Sequence, residues 1–170
     1  MTLFQVGEKV VYPNQGIGTI ENISNRSYGA QCERFYLLRL TYTDMTVMVP
    51  FSHVEEIGLR RITNNADLSR VLAFLSDGQC QTRADWKDRF KENSEKMRSW
   101  GLLGIAEVLK TLLLLQNIKP LSFREKTMLR RARRLLITEL SISRGLPEGA
   151  AIELLQKALT GASLTLPSAA

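Results

Sequence analysis

The sequence predicts an α+β protein with a small β-barrel over residues 1–61 and an all-α helical bundle over residues 62–160. Up to residue 61 the apolar residues alternate with a period of two, whereas from residue 62 they recur at spacings of three and four. Gly, Pro, Asn and Asp interrupt the first part at short intervals, as they do in a sheet of short strands. The balance of charged residues also differs between the two parts. Residues 1–61 carry six basic and six acidic side chains, whereas fourteen Lys and Arg against six Asp and Glu lie between 83 and 134.

Four strands are predicted, at 9–12, 17–24, 34–42 and 45–50. In the third, Phe35 and Leu37 point to one side while Tyr36 and Leu38 point to the other, the alternation that a strand requires. Residues 43–44 separate two such runs and predict a tight hairpin. A sheet this short has edges that must be closed or covered, so we expect a bent, SH3-like or Tudor-like barrel. Such barrels are usually interaction modules, and the fold alone does not name the partner.

Five helices are predicted, at 67–76, 83–99, 102–117, 123–143 and 148–159. The fourth is the best defined, because Ser122 and Glu125 form a capping box at its start. Gly145 and Pro147 end the same helix. The segment 161–170 has little to pack against and is expected to be a flexible tail.

Apolar and cationic residues divide the surface of this fourth helix between them. The apolar stripe, at spacings of three and four, consists of Met128, Leu129, Ala132, Leu135, Leu136 and Leu140. The opposite arc, called the cationic face below, consists of Arg124, Lys126, Arg130, Arg131, Arg133 and Arg134. Only one acid, Glu125, lies near these cations in sequence, so few intrahelical partners neutralise them. A nucleic-acid backbone is the favoured ligand, an acidic protein surface is second, and a solvated face laced with salt bridges is the alternative to both.

Catalysis, metal binding and membrane insertion are not expected. His53 is the only histidine and lies where the chain leaves the last strand, so we interpret it as a turn residue rather than a general base. The longest aliphatic run is 112–115, whereas a membrane span needs ~20 apolar residues. The N-terminus has no features of a secretory signal, which predicts a cytoplasmic protein. Cys32 and Cys80 lack zinc-site spacing and are interpreted as reduced thiols, so no cofactor is expected.

Trp86 has two interpretations. It shares a helical face with Phe90 and Met97, which by itself favours packing in the bundle core. It also lies near the start of its helix among the cations Arg83, Lys87, Arg89 and Lys91. A flat ring in that setting suits insertion against a base step while the cations hold phosphates. Trp100, at an interhelix junction, is predicted to be a packing residue.

The sequence resembles the bacterial CarD family of transcription regulators over about residues 4–160. In the first part the likeness is carried by VGEKVVYPNQGIG at 6–18, MTVMVP at 45–50 and GLR at 58–60. In the helical part it is carried by DWKDRFK at 85–91, IAEVL at 105–109 and LSFREK at 121–126. These motifs occur in the family's order and spacing, so the resemblance covers both predicted domains.

The resemblance implies that the N-terminal domain binds the β subunit of bacterial RNA polymerase. In the family this contact extends a sheet edge, which corresponds to the strand at 45–50 in this sequence. Arg26, Met48 and Pro50 are the residues expected to make it. Met48 stands where some members have arginine, so the contact there is expected to be more apolar.

The resemblance also implies that the helical domain touches promoter DNA at the upstream edge of the transcription bubble. Trp86 matches the family tryptophan that wedges into the minor groove, which favours the insertion interpretation over core packing. Arg89, Lys91 and Lys126 match basic family positions, and Lys87 and Arg130 complete the expected DNA contact. No sequence-specific readout is expected.

The implied protein is a monomeric, nucleoid-associated accessory factor and not an enzyme. Its N-terminal domain would tether it to polymerase, so that weak DNA contacts at the upstream fork suffice to stabilise the open complex. Two other functions stay open on the residues alone. One is a stand-alone nucleic-acid binder that works without polymerase, and the other is an adaptor between proteins.

Overall fold

The structure is a computed structural model that describes residues 3–80 and 85–167, without the side chains of Tyr28 and Trp86. It contains two compact units, Met1–Ile62 and Thr63–Ala170. The first is a β-sheet unit and the second is helical, which confirms the α+β class. The boundary between the units lies one residue beyond the predicted one.

The first unit is a five-stranded antiparallel sheet in the order β4-β3-β2-β1-β5. Its strands are β1 (Lys9–Tyr12), β2 (Gly16–Tyr28), β3 (Gln31–Leu40), β4 (Thr46–Pro50) and β5 (Arg60–Arg61). The predicted barrel is not confirmed, because no pairing between the two edge strands, β4 and β5, occurs among the described residues.

The core of the sheet unit is a cluster around Tyr36. The Tyr36 hydroxyl accepts a 2.9 Å hydrogen bond from the backbone N–H of Phe4, which brings the N-terminal segment onto the sheet. Glycine is required at position 18 of β2, since a Cβ there would lie 2.9 Å from the backbone carbonyl oxygen of Arg39 on the neighbouring strand β3. The sequence periodicity does not reveal this close approach of β2 to β3.

The turns of the sheet explain where the predicted strands end. β3 stops at Leu40, two residues earlier than predicted, and Asp44 takes a left-handed backbone (φ 57°) in the hairpin that follows. Asp tolerates that conformation better than most residues, so the hairpin forms without glycine. β2 and β3 extend further than predicted, to a turn at Gly29 with φ 61°.

The helical part begins with one short helix in the sheet unit and continues with five long ones. These are α1 (Val54–Ile57), α2 (Asn65–Asp77), α3 (Trp86–Ser99), α4 (Gly101–Gln116), α5 (Phe123–Arg144) and α6 (Glu148–Thr160). The five predicted helices are confirmed with ends shifted by up to three residues, and α1 was not predicted. α4 is the centre of the bundle, because most of its residues are buried.

Lys110 on α4 is buried and joins this helix to the end of α2. Its Nζ donates to the carbonyl oxygens of Phe74 at 2.8 Å and Gly78 at 2.7 Å. The last carbonyls of a helix lack intrahelical donors, so a lysine ammonium satisfies them and complements the negative end of the dipole. Lys110 therefore serves an internal contact between α2 and α4.

The expectation of a flexible tail from Gly161 is wrong as far as Pro167. Leu164 is buried in the bundle core, and the Gln156 side chain bonds to the backbone of Leu164 and Leu166. Arg133 Nε donates to the carbonyl oxygen of Pro167 at 2.7 Å. Leucines at 164 and 166 give this segment apolar surface to bury, which fixes it on α5 and α6.

Candidate nucleic-acid interface

The start of α5 is built around Glu125, which serves two partners. The Ser122 hydroxyl accepts from the Glu125 backbone N–H at 3.2 Å, and the Glu125 carboxylate accepts in return from Ser122, so the predicted capping box is confirmed. The same carboxylate accepts two hydrogen bonds from Arg89 on α3, Nε to Oε2 at 2.8 Å and Nη2 to Oε1 at 3.3 Å. This bidentate pair holds the first turns of α3 and α5 together.

The Arg89–Glu125 pair is buried, with each residue 3% exposed. Burial by itself would raise the pKa of Glu125, but the hydrogen bonds and charge of Arg89, helped by Ser122, outweigh it and hold that pKa below its usual value. Glu125 therefore stays ionised at neutral pH, and the pair is a fixed structural element.

Arg89 is not exposed for the direct DNA contact expected of it. Its guanidinium faces Glu125 in the interior instead of a phosphate. The physical reason is that Glu125 needs a cation once the capping box has drawn it into the core, since an unpaired buried carboxylate is costly. Arg89 is a residue that positions α3 on α5.

The cationic face of α5 contrasts with this pair. The apolar stripe predicted for α5 is buried throughout, which turns the opposite side outward. Lys126, Arg130 and Arg131 are exposed, and within the described residues they make no ion pair with a carboxylate. The Arg130 guanidinium donates to Thr127 Oγ1 at 3.3 Å. These cations are positioned to bind an anion from solvent.

Not all of the cationic face is equally available. Arg124 is exposed, with its guanidinium 5.7 Å from the centroid of the Phe90 ring. Arg133 and Arg134 are half-buried, and Arg133 is held by Pro167. The accessible part of the face is therefore its N-terminal half, next to the start of α3.

The start of α3 carries the other predicted DNA contacts. Trp86 is its first residue, and the Trp86 side chain lies outside the described part of the structure. The Asp85 carboxylate caps the helix by accepting from the Lys87 N–H at 3.0 Å. Lys87 and Lys91 are exposed. Arg83 also lies outside the described residues.

Trp100 does not pack as predicted and is 56% exposed. It lies between α3 and α4, where Lys96 Nζ sits 5.5 Å from the centroid of its ring. Gly104 lies close beneath it, since a Cβ at position 104 would clash with Trp100 Cβ. The indole is mostly exposed to solvent instead of buried in the bundle.

In the sheet unit, β4 is the candidate contact strand. Among the described residues it pairs with β3 alone, with Met48 opposite Leu37 and Pro50 opposite Phe35, so its outer edge has no partner strand. Val49 is buried and Met48 is exposed, the alternation of a strand with one face in the core. Backbone groups on such an edge are able to accept another strand.

Arg26 is exposed on β2, two strands away from β4. Its cross-strand partner is Glu33 on β3, and the Ser52 hydroxyl donates to the Glu33 carboxylate just beyond the end of β4. The fold thus places Arg26 at the end of the sheet where Pro50 ends β4. The three residues expected to bind polymerase belong to one region of the sheet.

The structure also locates the other residues considered in the sequence. No group of three or more His, Cys, Asp and Glu that would suit a metal ion occurs among them. His53 lies exposed in a short turn of helix after β4, as a turn residue. Of the helices described, none has the length and apolar character needed to span a bilayer.

These features define a two-unit protein in which an edge strand is open to pairing and a helical surface is suited to a polyanion. Comparison with known proteins gives the family. Residues 4–63 match the model of the CarD-like/TRCF RID domain, and residues 70–156 match that of the CarD C-terminal domain. The chain belongs to the CarD family of transcription regulators.

The similarity to a curated relative agrees with this assignment. The chain is 32% identical over 146 residues to the putative transcription factor YdeB of Bacillus subtilis, covering 86% of this chain and 95% of that one. It is 39% identical to the solved structure of CdnLNt from Myxococcus xanthus, covering 36% of this chain and 87% of that one with a TM-score of 0.31.

Proposed function

We propose that this protein stabilises the promoter open complex while bound to the β subunit of RNA polymerase. Its sheet unit is the tether, and its helical unit contacts DNA at the upstream edge of the bubble. The observation that carries the proposal is the set of exposed cations on α5 that lack carboxylate partners within the described residues, next to the start of α3. Family membership supports the role in transcription.

The polymerase contact is assigned to β4. Strand addition obtains affinity from backbone hydrogen bonds and selectivity from alternate side chains, and β4 offers an open edge with Met48 exposed beside it. Pro50 ends β4, and Arg26 lies on β2 near the same end of the sheet, with β3 between them. A tether raises the local concentration of the helical unit at the fork, so individually weak DNA contacts are sufficient.

The DNA contact is assigned to Trp86 as the wedge and to Lys87, Lys91, Lys126 and Arg130 as phosphate ligands. Arg89 takes part indirectly, by fixing α3 against α5. A wedge that binds the distorted junction better than closed duplex shifts the equilibrium toward the open complex. A preference of about 1.4 kcal/mol changes that equilibrium tenfold.

The polymerase contact is tested with Met48→Asp, using Gln15→Asp as a control of equal charge change in an exposed turn. Co-purification with polymerase should fail for Met48→Asp and persist for Gln15→Asp. Equal recovery of both variants would remove β4 as the contact strand. Tight binding of free DNA without polymerase would favour a stand-alone nucleic-acid binder instead.

The wedge is tested with Trp86→Ala in the presence of polymerase. The lifetime of the open complex should shorten while polymerase binding persists. An unchanged lifetime with intact polymerase binding would rule the wedge out.

A further inference from the structure

Phe123, the first residue of α5, is 79% exposed although the apolar stripe of the same helix is buried. At 100° per residue it projects opposite the centre of the buried stripe, in line with Thr127 and Arg130. The capping of α5 does not involve its ring, since Ser122 and Glu125 perform it. The architecture of the bundle therefore does not account for a large apolar ring at this position.

Cations follow this ring at helical spacing. Lys126 lies three residues on and Arg130 seven residues on, so both share the outward face with Phe123. Both are exposed, and neither forms an ion pair with a carboxylate within the described residues. An exposed ring among unneutralised cations is complementary to a ligand that has both flat apolar faces and negative charge.

The position of Phe123 in the bundle links it to the proposed DNA contact. Glu125, two residues along, is bound to Arg89, and Arg124 lies over the ring of Phe90. Both contacts join the first turn of α5 to the first two turns of α3, the helix that begins with Trp86. The two aromatic residues thus begin helices whose starts are fixed side by side.

We propose that Phe123 is a second aromatic DNA contact, on which an unpaired base of the melted region stacks while Lys126 and Arg130 bind the adjacent phosphates. This inference rests on the proposed function for its setting at the bubble. Bases within a duplex already stack on each other and hide their faces, so the ring selects single-stranded DNA. A phenyl ring has no hydrogen-bonding group, so the contact is independent of base identity.

The experiment compares binding of the full chain to an oligothymidine and to a duplex of equal length at low ionic strength, where weak phosphate-driven binding is measurable. Phe123→Ala should weaken binding of the single strand about tenfold and change duplex binding less than twofold. Phe123→Trp should retain single-strand binding, because a larger ring still stacks. Ile118→Ala, at another exposed apolar residue just after α4, should match the unchanged protein on both probes.

Equal effects of Phe123→Ala on both probes, or no effect on either, would overturn the proposal. Loss of polymerase recovery with unchanged DNA binding would also overturn it, because the ring would then contact protein. Loss of single-strand binding in Phe123→Trp as well would exclude stacking.

The proposed function is tested separately by Trp86→Ala and open-complex lifetime. If Trp86→Ala leaves the open-complex lifetime unchanged but Phe123→Ala still loses single-strand binding selectively, the stacking role of Phe123 stands. If Trp86→Ala shortens the lifetime but Phe123→Ala has no selective effect, only the stacking role is removed.

Discussion

Arg89 on α3 and Arg130 on α5 are the same residue type on adjoining helices, yet the first is buried against Glu125 and the second is exposed to solvent. Arg89 is paired with the buried Glu125 carboxylate, so its charge is neutralised inside the fold. The Arg130 guanidinium donates to the neutral Thr127 hydroxyl and keeps its charge for a ligand. The difference shows that a cation-rich segment contains charges neutralised inside the fold as well as charges exposed to solvent, and that Glu125 is what separates these two arginines.

Removing the buried Arg89 should destabilise the fold far more than removing an exposed cation. Arg89→Ala should lower the free energy of unfolding by about 3–5 kcal/mol, because it leaves the Glu125 carboxylate buried without a cation. Urea denaturation of the full chain measures the loss. Lys91→Ala, at an exposed cation on the same helix, should change stability by less than about 0.5 kcal/mol.

A loss below about 1 kcal/mol in Arg89→Ala would show that Glu125 is not buried as described. The double variant Arg89→Met with Glu125→Leu gives a second measurement, since replacing a buried ion pair with apolar residues is often neutral or stabilising. It should be more stable than Arg89→Ala alone.

A smaller effect is expected from titrating the same pair. The folded-state pKa of Glu125 is depressed, so its contribution to stability is fully present above its ordinary unfolded pKa and is lost as pH falls through the folded pKa. The stability gap between the natural chain and Glu125→Gln should therefore be widest near neutral pH and narrow below pH ~4. Denaturation curves at a series of pH values test this, with the exposed Glu153→Gln on α6 as the control. A gap that is constant with pH would contradict the ion pair.

Removal of the exposed cations of α5 should change stability least. Lys126→Ala with Arg130→Ala should leave the free energy of unfolding within about 0.5 kcal/mol, since neither cation has a carboxylate partner among the described residues. DNA binding should weaken, and the slope of log affinity against log salt should fall by about two, one for each cation that no longer binds a phosphate. Salt titration with a duplex probe measures the slope, and Lys157→Ala on α6 is the control. An unchanged slope would mean that the cationic face does not bind DNA.

Sequence periodicity predicted the five long helices because each buries a stripe at spacings of three and four. It also predicted the hairpin before β4 and the capping box at Ser122, since both depend on residues within a few positions of each other. Local patterns were therefore sufficient for most of the fold.

The errors lie where the deciding contact is distant in sequence. Arg89 and Glu125 are 36 residues apart, so nothing local marks Arg89 as buried. The segment to Pro167 is fixed by Gln156 and Arg133, which belong to two different helices. Trp100 is exposed although it lies at the junction of α3 and α4, and nothing in the apolar pattern marks it as an outward residue. The open β-sheet likewise depends on strand pairing and not on the apolar pattern.

The burial of Lys110 against the end of α2 has a practical consequence for mapping the interface chemically. Amine-acylating reagents attack uncharged, solvent-accessible lysine amines, so Lys110 should react slowly in the folded chain while exposed Lys126 and Lys91 react quickly. Slow labelling of Lys110 then reports that the bundle is intact, within the same sample. Protection of Lys126 by added DNA, measured against that internal standard, would distinguish occupancy of the surface from a global change in the protein.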